Sequence, residues 1–192
     1  MSNPLELFNQ ERNTAREQGD PWSGLCALAS INQHGQAQVR TLVLRDMDDR
    51  LAIFINATSP KHRELPVGGH TQISIYLASL SIQYRLDAQL EAVPKTLVDE
   101  SWLLRPDIPK KMDWYYTEIQ AQSTPVESRA HLVKSLNAHA RKHEEKTAPK
   151  TALGLYLNVE RIERLELHKE EIHARKLWQL KSGIWTEQVL VP

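Results

Sequence analysis

Residues 24–61 read GLCALASINQHGQAQVRTLVLRDMDDRLAIFINATSPK, and strand text alternates there with turn text. Leu25 to Asn32 reads as a strand, Asn32-Gln33-His34-Gly35 as a turn, and Ala37 to Arg45 as the return strand of a hairpin. Asp46 to Arg50 turns the chain again. Leu51 to Asn56 is a third strand, rich in the β formers Ile53, Phe54 and Ile55. Strands joined by connections this short run antiparallel, because a parallel pair needs a crossover of about a dozen residues or more.

Upstream, Pro4 to Gln18 carries Leu5 and Phe8 at helical spacing and stops at Gly19. Downstream, Ser59 suits an N-cap and Pro60 a first helical position, so a short helix is expected from Pro60 to Leu65, broken by Pro66, Gly68 and Gly69. Gln72 to Ala78 and Ser81 to Val93 read as strands. Helical text follows: Thr96 to Leu104 behind a capping box at Thr96-Leu97-Val98-Asp99, then Lys110 to Gln122, then a polar helix from Val126 to Glu145 striped by Leu132, Val133 and Leu136. Strands return at Leu153 to Val159, Ile162 to His168, Ala174 to Leu180 and Ile184 to Val191, the last two joined by Lys181-Ser182-Gly183. The expected fold is mainly β, a small closed antiparallel barrel with helices packed on one side. It forms one domain over residues 1–192, with an N-terminal helix at 1–19 and a helical insertion at 96–146.

Of the 192 residues, 41% are hydrophobic, enough for a sizeable core. Lys plus Arg number 24 and Asp plus Glu 24, so the formal charge is zero, and a general nucleic-acid binder is not expected. A local pocket for one phosphate is compatible with that balance. Cys26 stands alone, which excludes an intrachain disulfide and suits a reducing cytoplasm. The first twenty residues lack the apolar stretch of a signal peptide, and no run approaches the roughly 18 apolar residues of a membrane span.

Arg40-Thr41-Leu42-Val43-Leu44-Arg45 places an arginine within an apolar strand, where it needs a counter-charge: a rim carboxylate or a bound anion. Ser59-Pro60-Lys61-His62-Arg63 sets cations at a helix start, against the helix dipole. Either they point to water, or an anion shared with the free N–H groups resolves the conflict. Gln83, mid-strand, either faces solvent or offers an amide to the edge of a heterocycle. His139 and His143 are spaced i, i+4, but among Arg141, Lys142, Glu144, Glu145 and Lys146 they read as a solvated face, and no metal is expected. His34 and His131 read as surface residues and Cys26 as core. No nucleophile elbow and no glycine-rich phosphate loop is present.

Together these segments resemble the pyridoxamine 5′-phosphate oxidase-like family of FMN-binding split barrels, from about Asp20 to Pro192. The family's Arg-x-Val-Leu-Leu-Lys strand matches Arg40 to Arg45. Its Asn-x-x-Ser-x-Lys turn matches Asn56-Ala57-Thr58-Ser59-Pro60-Lys61, and its glutamine 22 residues later is Gln83. Val159 to Glu163, Ile172-His173-Ala174-Arg175 in place of Arg-Leu-His-Asp-Arg, Trp185 and the Leu190-Val191-Pro192 tail extend the match. The resemblance implies a homodimer with FMN at its interface. Arg40, Ser59 and Lys61 would hold the FMN phosphate, with backbone N–H groups near Thr58. Val43, Leu44, Arg45, Ile55 and Asn56 would line the cofactor, Gln83 would meet the isoalloxazine edge, and Arg175 would reach the flavin from the partner subunit.

The substrate half departs from the pattern. The first arginine of the late motif is Glu171, its aspartate Ala174, and the flavin-side tryptophan Leu165. Of the substrate-phosphate set, the lysine is Arg45, the tyrosine Ser101, the arginine Arg105 and the serine Pro109. The expectation is therefore an FMN-dependent oxidoreductase related to those oxidases, acting on a small, anionic or heteroaromatic molecule held by Arg45, Arg105 and His173. His173 and Arg175 are the candidate catalytic residues. The alternative is a non-catalytic flavin- or haem-binding protein on the same barrel.

Overall fold

The computed structural model describes residues 3–140 and 147–192. Three hairpins come first: β1 (Leu25–Ile31) with β2 (Ala37–Val43), β3 (Arg45–Met47) with β4 (Arg50–Asn56), and β5 (His70–Leu77) with β6 (Ile82–Ala92). After a helical segment come β7 (Ala152–Glu166), β8 (Ala174–Lys181) and β9 (Ile184–Leu190). The helices are α1 (Pro4–Glu17), α2 (Lys61–Glu64), α3 (Lys95–Leu103), α4 (Asp107–Glu118) and α5 (Arg129–Ala140). Every strand pairing is antiparallel, as the short connections require.

The strands run β2-β1-β5-β6-β7-β4-β3, with β8 on β7 and β9 beyond it. The sheet curls into a half-barrel with helices packed on it, the mainly β, antiparallel split barrel that the resemblance implies; only the full closure read from the strand pattern is absent. The physical reason lies in β7. It pairs with β6 along most of its length but divides its other edge, residues 152–157 going to β4 and 161–166 to β8. The sheet forks there instead of closing, and no ladder joins β2 to β3 among the described residues.

Several expected boundaries change. The two strands expected at Leu153–Val159 and Ile162–His168 are one. Glu160 is an extra residue opposite the Asp87/Ala88 step of β6, a bulge and not a turn. The strand expected from Ala37 to Arg45 ends at Val43. Leu44 is buried and donates its N–H to the Gly24 carbonyl at 3.0 Å, and Arg45 then pairs with Ala52 of β4. The β3–β4 turn holds Asp48 and Asp49 at φ of 49° and 58°, the two left-handed residues of the tight turn whose twist suits a hairpin. Ser59 is not the N-cap of α2: Pro60 occupies that position, with no side-chain cap. Thr96 caps nothing, since α3 begins at Lys95 behind Pro94. The helix expected at Lys110–Gln122 begins earlier, at Asp107, and ends at Glu118. That expected at Val126–Glu145 begins at Arg129 and is described to Ala140; Arg141 to Lys146, and with them His143, lie outside the described residues.

On β6, Ile82, Tyr84, Leu86, Ala88 and Leu90 are buried, while Gln83, Arg85, Asp87 and Gln89 face the other way. Leu28, Ile53 and Ile73 join them in a core that is fully buried. Cys26 is in that core as expected, and burial pushes its thiol up to about 11. Helix α1 covers one end. Phe8 meets Tyr84 edge-to-face, and Arg12, 1% exposed, donates to Asp46 at 2.7 Å and to the Ser23 carbonyl at 3.2 Å. His139 corrects the expected solvated face: it is buried on α5, 3.4 Å from Glu118 and edge-to-face with Tyr115.

Candidate functional site

Strand β4 ends in a turn that its own side chains build. The Asn56 amide oxygen accepts from the Thr58 N–H at 3.0 Å and from the Thr58 hydroxyl at 2.8 Å, so the chain bends at once toward α2. Ser59, 4% exposed, accepts from the Lys61 ammonium at 2.7 Å. From the α4–α5 connection Gln122 reaches the same turn. Its N–H donates to the Thr58 hydroxyl at 3.1 Å, and its side-chain oxygen accepts from Lys61 at 3.4 Å.

Arg40 approaches this turn from β2. One terminal nitrogen donates to Glu64 of α2 at 2.6 Å, and the Ser30 hydroxyl donates to the same carboxylate oxygen at 2.6 Å. The Ser30 hydroxyl, then Arg40, hold the Glu64 carboxyl below its ordinary value. Burial and the charge of Arg40 push the Lys61 ammonium down, and Glu64 partly opposes them. The other terminal nitrogen of Arg40 is buried and has no hydrogen-bond partner. Two cations therefore share one carboxylate, and one buried donor is unsatisfied. A bound phosphate would satisfy that donor and favour the charged lysine, so the residues present fit the phosphate of a cofactor. The cluster borders a cavity of about 560 Å³ walled by Thr58, Pro60, Glu64, Gln122, His34 and Gln38 among others.

A second cleft, of about 260 Å³, lies between β2, the start of β3, and α3. Thr41, Val43, Arg45, Phe54, Ser101 and Arg105 line it. Arg105 is tethered from behind by an ion pair with Asp113 of α4. Asp113 is also held by the Trp102 indole N–H at 3.0 Å and the Asn56 amide at 3.4 Å. Burial pushes its carboxyl up from the ordinary value, opposed by Arg105, Trp102 and Asn56.

Gln83 and Arg175 lie on one transverse row of the sheet, Tyr76-Gln83-Leu165-Arg175. Arg175 donates to Glu163 at 2.9 and 3.0 Å. The same buried carboxylate accepts from Arg85 at 2.5 Å and from Arg161 at 2.9 Å. His173 is exposed in the β7–β8 loop and accepts from the His168 N–H at 3.1 Å. Glu171, in the same loop, is exposed.

The fold thus brings Arg40, Thr58, Ser59 and Lys61 together, and Val43 and Arg45 with Arg105. It does not bring Arg175 to Arg40 within one chain. From β2 to β8 is five strand spacings of about 4.8 Å, about 24 Å along the sheet. Leu44 and Ile55 commit their side chains to the core, and Asn56 commits both ends of its amide to the protein. Sequence reasoning missed Glu64, Gln122, Asp113 and Glu163. The need of Arg40 for a carboxylate was legible; that Glu64 supplies it, 24 residues on, was not. Gln122 and Asp113 reach the turn from 64 and 57 residues away, and no local spacing marks them.

Compared with models of protein families, the chain matches none. Compared with curated proteins, it is 30% identical to pyridoxine/pyridoxamine 5′-phosphate oxidase of Rhizobium meliloti over 145 residues, covering 74% of this chain and 68% of that one. Among solved structures it is similar to PhzG of Burkholderia lata 383 in complex with tetrahydrophenazine-1-carboxylic acid, with a TM-score of 0.88 at 21% identity, covering 100% of this chain and 94% of that chain. It is also similar to a pyridoxamine 5′-phosphate oxidase-related, FMN-binding protein of Nostoc punctiforme PCC 73102, with a TM-score of 0.78 at 15% identity, covering 100% of this chain and 99% of that chain.

Proposed function

The chain belongs to the pyridoxine/pyridoxamine 5′-phosphate oxidase family of split barrels, and from that premise we propose that it binds FMN and is an FMN-dependent oxidoreductase acting on a small, anionic heteroaromatic molecule. The observation that carries the reading is the unsatisfied buried nitrogen of Arg40 beside the depressed Lys61 ammonium. Both conditions are relieved by one anion.

In this reading Arg40, Ser59 and Lys61 hold the FMN phosphate. Asn56 shapes the turn and itself takes both backbone donors expected for the phosphate, the Thr58 N–H on its side chain and the Ser59 N–H on its carbonyl, so the side chains carry the binding, and Gln122 braces Lys61. Bound FMN supplies hydride acceptance and return at its ring. The chain holds and orients that ring: Val43 and Arg45 form a wall, Gln83 meets the ring edge, and Arg175 reaches it with its guanidinium held rigid by Glu163. Arg45 and Arg105 draw in the anionic group of the substrate, and His173, from the β7–β8 loop, would orient it. The heteroaromatic acid bound by PhzG supports this substrate class.

The wide separation of Arg175 from Arg40 supports a homodimer in which each flavin is held by two chains. The exposed apolar side chains of Val39, Val43 and Tyr76 on the sheet, with Trp22 in the turn before β1, offer a face for that contact. No helix among the described residues is long and apolar enough to cross a membrane. The lone, buried Cys26 suits the cytoplasm.

The test is the visible absorption of protein purified without added cofactor, with identification of whatever is released on denaturation. Released FMN is the expected result. A colourless protein that also fails to take up added FMN would overturn the reading.

A further inference from the structure

The charge of the Arg45–Arg105 cleft is set by three groups. Arg105 is ion-paired to Asp113, and that pair is formally neutral. Asp113 cannot swing away, because the indole of the buried Trp102 and the amide of the buried Asn56 hold it from two further sides. Lys110 of α4 is not among the residues that line the cleft. Its ammonium donates to the Leu103 carbonyl at 2.7 Å and lies 5.5 Å from the centre of the Trp102 ring. Arg45, half of the cleft's cationic equipment and exposed, therefore supplies its net charge of one. The hydroxyl donors on the walls are those of Thr41 and Ser101.

One net positive charge on a planar, two-pronged guanidinium matches a planar monoanion. A phosphate ester brings nearly two negative charges and three acceptor oxygens at neutral pH, and it would meet the fixed Asp113 carboxylate behind Arg105. Resting on the reading of this cleft as the substrate's anion site, we propose that it takes an aromatic carboxylate in preference to a phosphate ester. Asp113 is the residue that sets the preference.

The experiment is calorimetric titration of the protein as purified, near neutral pH, with phenazine-1-carboxylate and with pyridoxine 5′-phosphate. The carboxylate is expected to bind at least about tenfold more tightly. Asp113→Asn, which removes the opposing charge and keeps the shape, is expected to narrow that ratio at least about tenfold by strengthening the phosphate ester. Arg45→Gln, at an exposed position, is expected to weaken the carboxylate by a similar factor with unchanged circular dichroism. It serves as the second variant should Asp113→Asn not fold. Equal or tighter binding of the phosphate ester by the unaltered protein overturns the proposal, as does failure of both probes to bind. Flavin content is read from the visible spectrum of the same sample. A flavin-free sample that still prefers the carboxylate upholds the cleft assignment and sinks the cofactor reading, so the two fail separately.

Discussion

Arg40 of β2 and Glu64 of α2 meet at 2.6 Å, and the pair is incomplete, because the second terminal nitrogen of Arg40 is buried with nothing to bind. Glu64 thus anchors the arginine without saturating it. With Lys61 alongside, the cluster keeps one net positive charge for a ligand.

Lys61→Ala is expected to weaken FMN binding by one charge-assisted hydrogen bond, about 1.5–3 kcal/mol, or roughly tenfold to over a hundredfold. It should leave the flavin-free protein at least as stable as before, because burial already disfavours the charged ammonium there. Arg40→Ala is expected to weaken FMN similarly and also to lower the melting temperature, since Glu64 is left buried with only Ser30. Flavin titration and thermal melts on the two variants separate these effects.

If each flavin is held by two chains, Lys61→Ala and Arg175→Ala damage opposite sides of the site. Mixing the two variants under conditions that exchange subunits is expected to regenerate one intact site per mixed dimer. Flavin retention should then recover in the mixture above either variant alone. No recovery, with exchange shown by mass-tagged subunits, would place both residues on a site built within one chain.

Glu163 gathers Arg85, Arg161 and Arg175 around one carboxylate that is 3% exposed. The arginines it leaves behind are partly solvated and Arg161 keeps Asp87, so Glu163→Ala is expected to cost about 1.5–3 kcal/mol in denaturant unfolding. Arg175→Ala should cost much less, because Glu163 keeps two arginines.

The carboxyls of Glu64 and Glu163 are both held below their ordinary value of 4.5. The unfolded chain therefore binds more protons than the folded one as pH falls through that range. The stability they contribute is fully present above pH 4.5 and is lost progressively below it. Asp113, raised above 3.8, has the opposite sign. Melting temperature against pH for Glu64→Gln should show a shallower acid limb than the unaltered protein, and an identical limb would contradict the assignment.

Strand positions, antiparallel pairing, the turns at Asn32–Gly35 and Lys181–Gly183 and the cationic turn after β4 were legible because they rest on local signals: apolar runs, glycine-containing turns and prolines. What was not legible depends on partners distant in the chain. Glu160-Arg161 looks like a break between strands, yet β6 pairs on both sides of it and absorbs the extra residue as a bulge. Leu44 reads as the middle of a strand, but the chain changes partner there, from β1 to β4. His139 sits in polar text, yet α4 covers it. In the site, Arg40, Ser59 and Lys61 were visible from the motif, whereas Gln122 and Asp113 are brought in by the packing of the helical segment against the turn.

The central claim is that this turn holds a phosphate. The most direct measurement compares the affinities of the flavin-stripped protein for FMN and for riboflavin, which differ by that phosphate alone. FMN is expected to bind at least about tenfold more tightly, with the difference collapsing in the Arg40→Ala, Lys61→Ala double variant. Equal affinities in the unaltered protein would contradict the account.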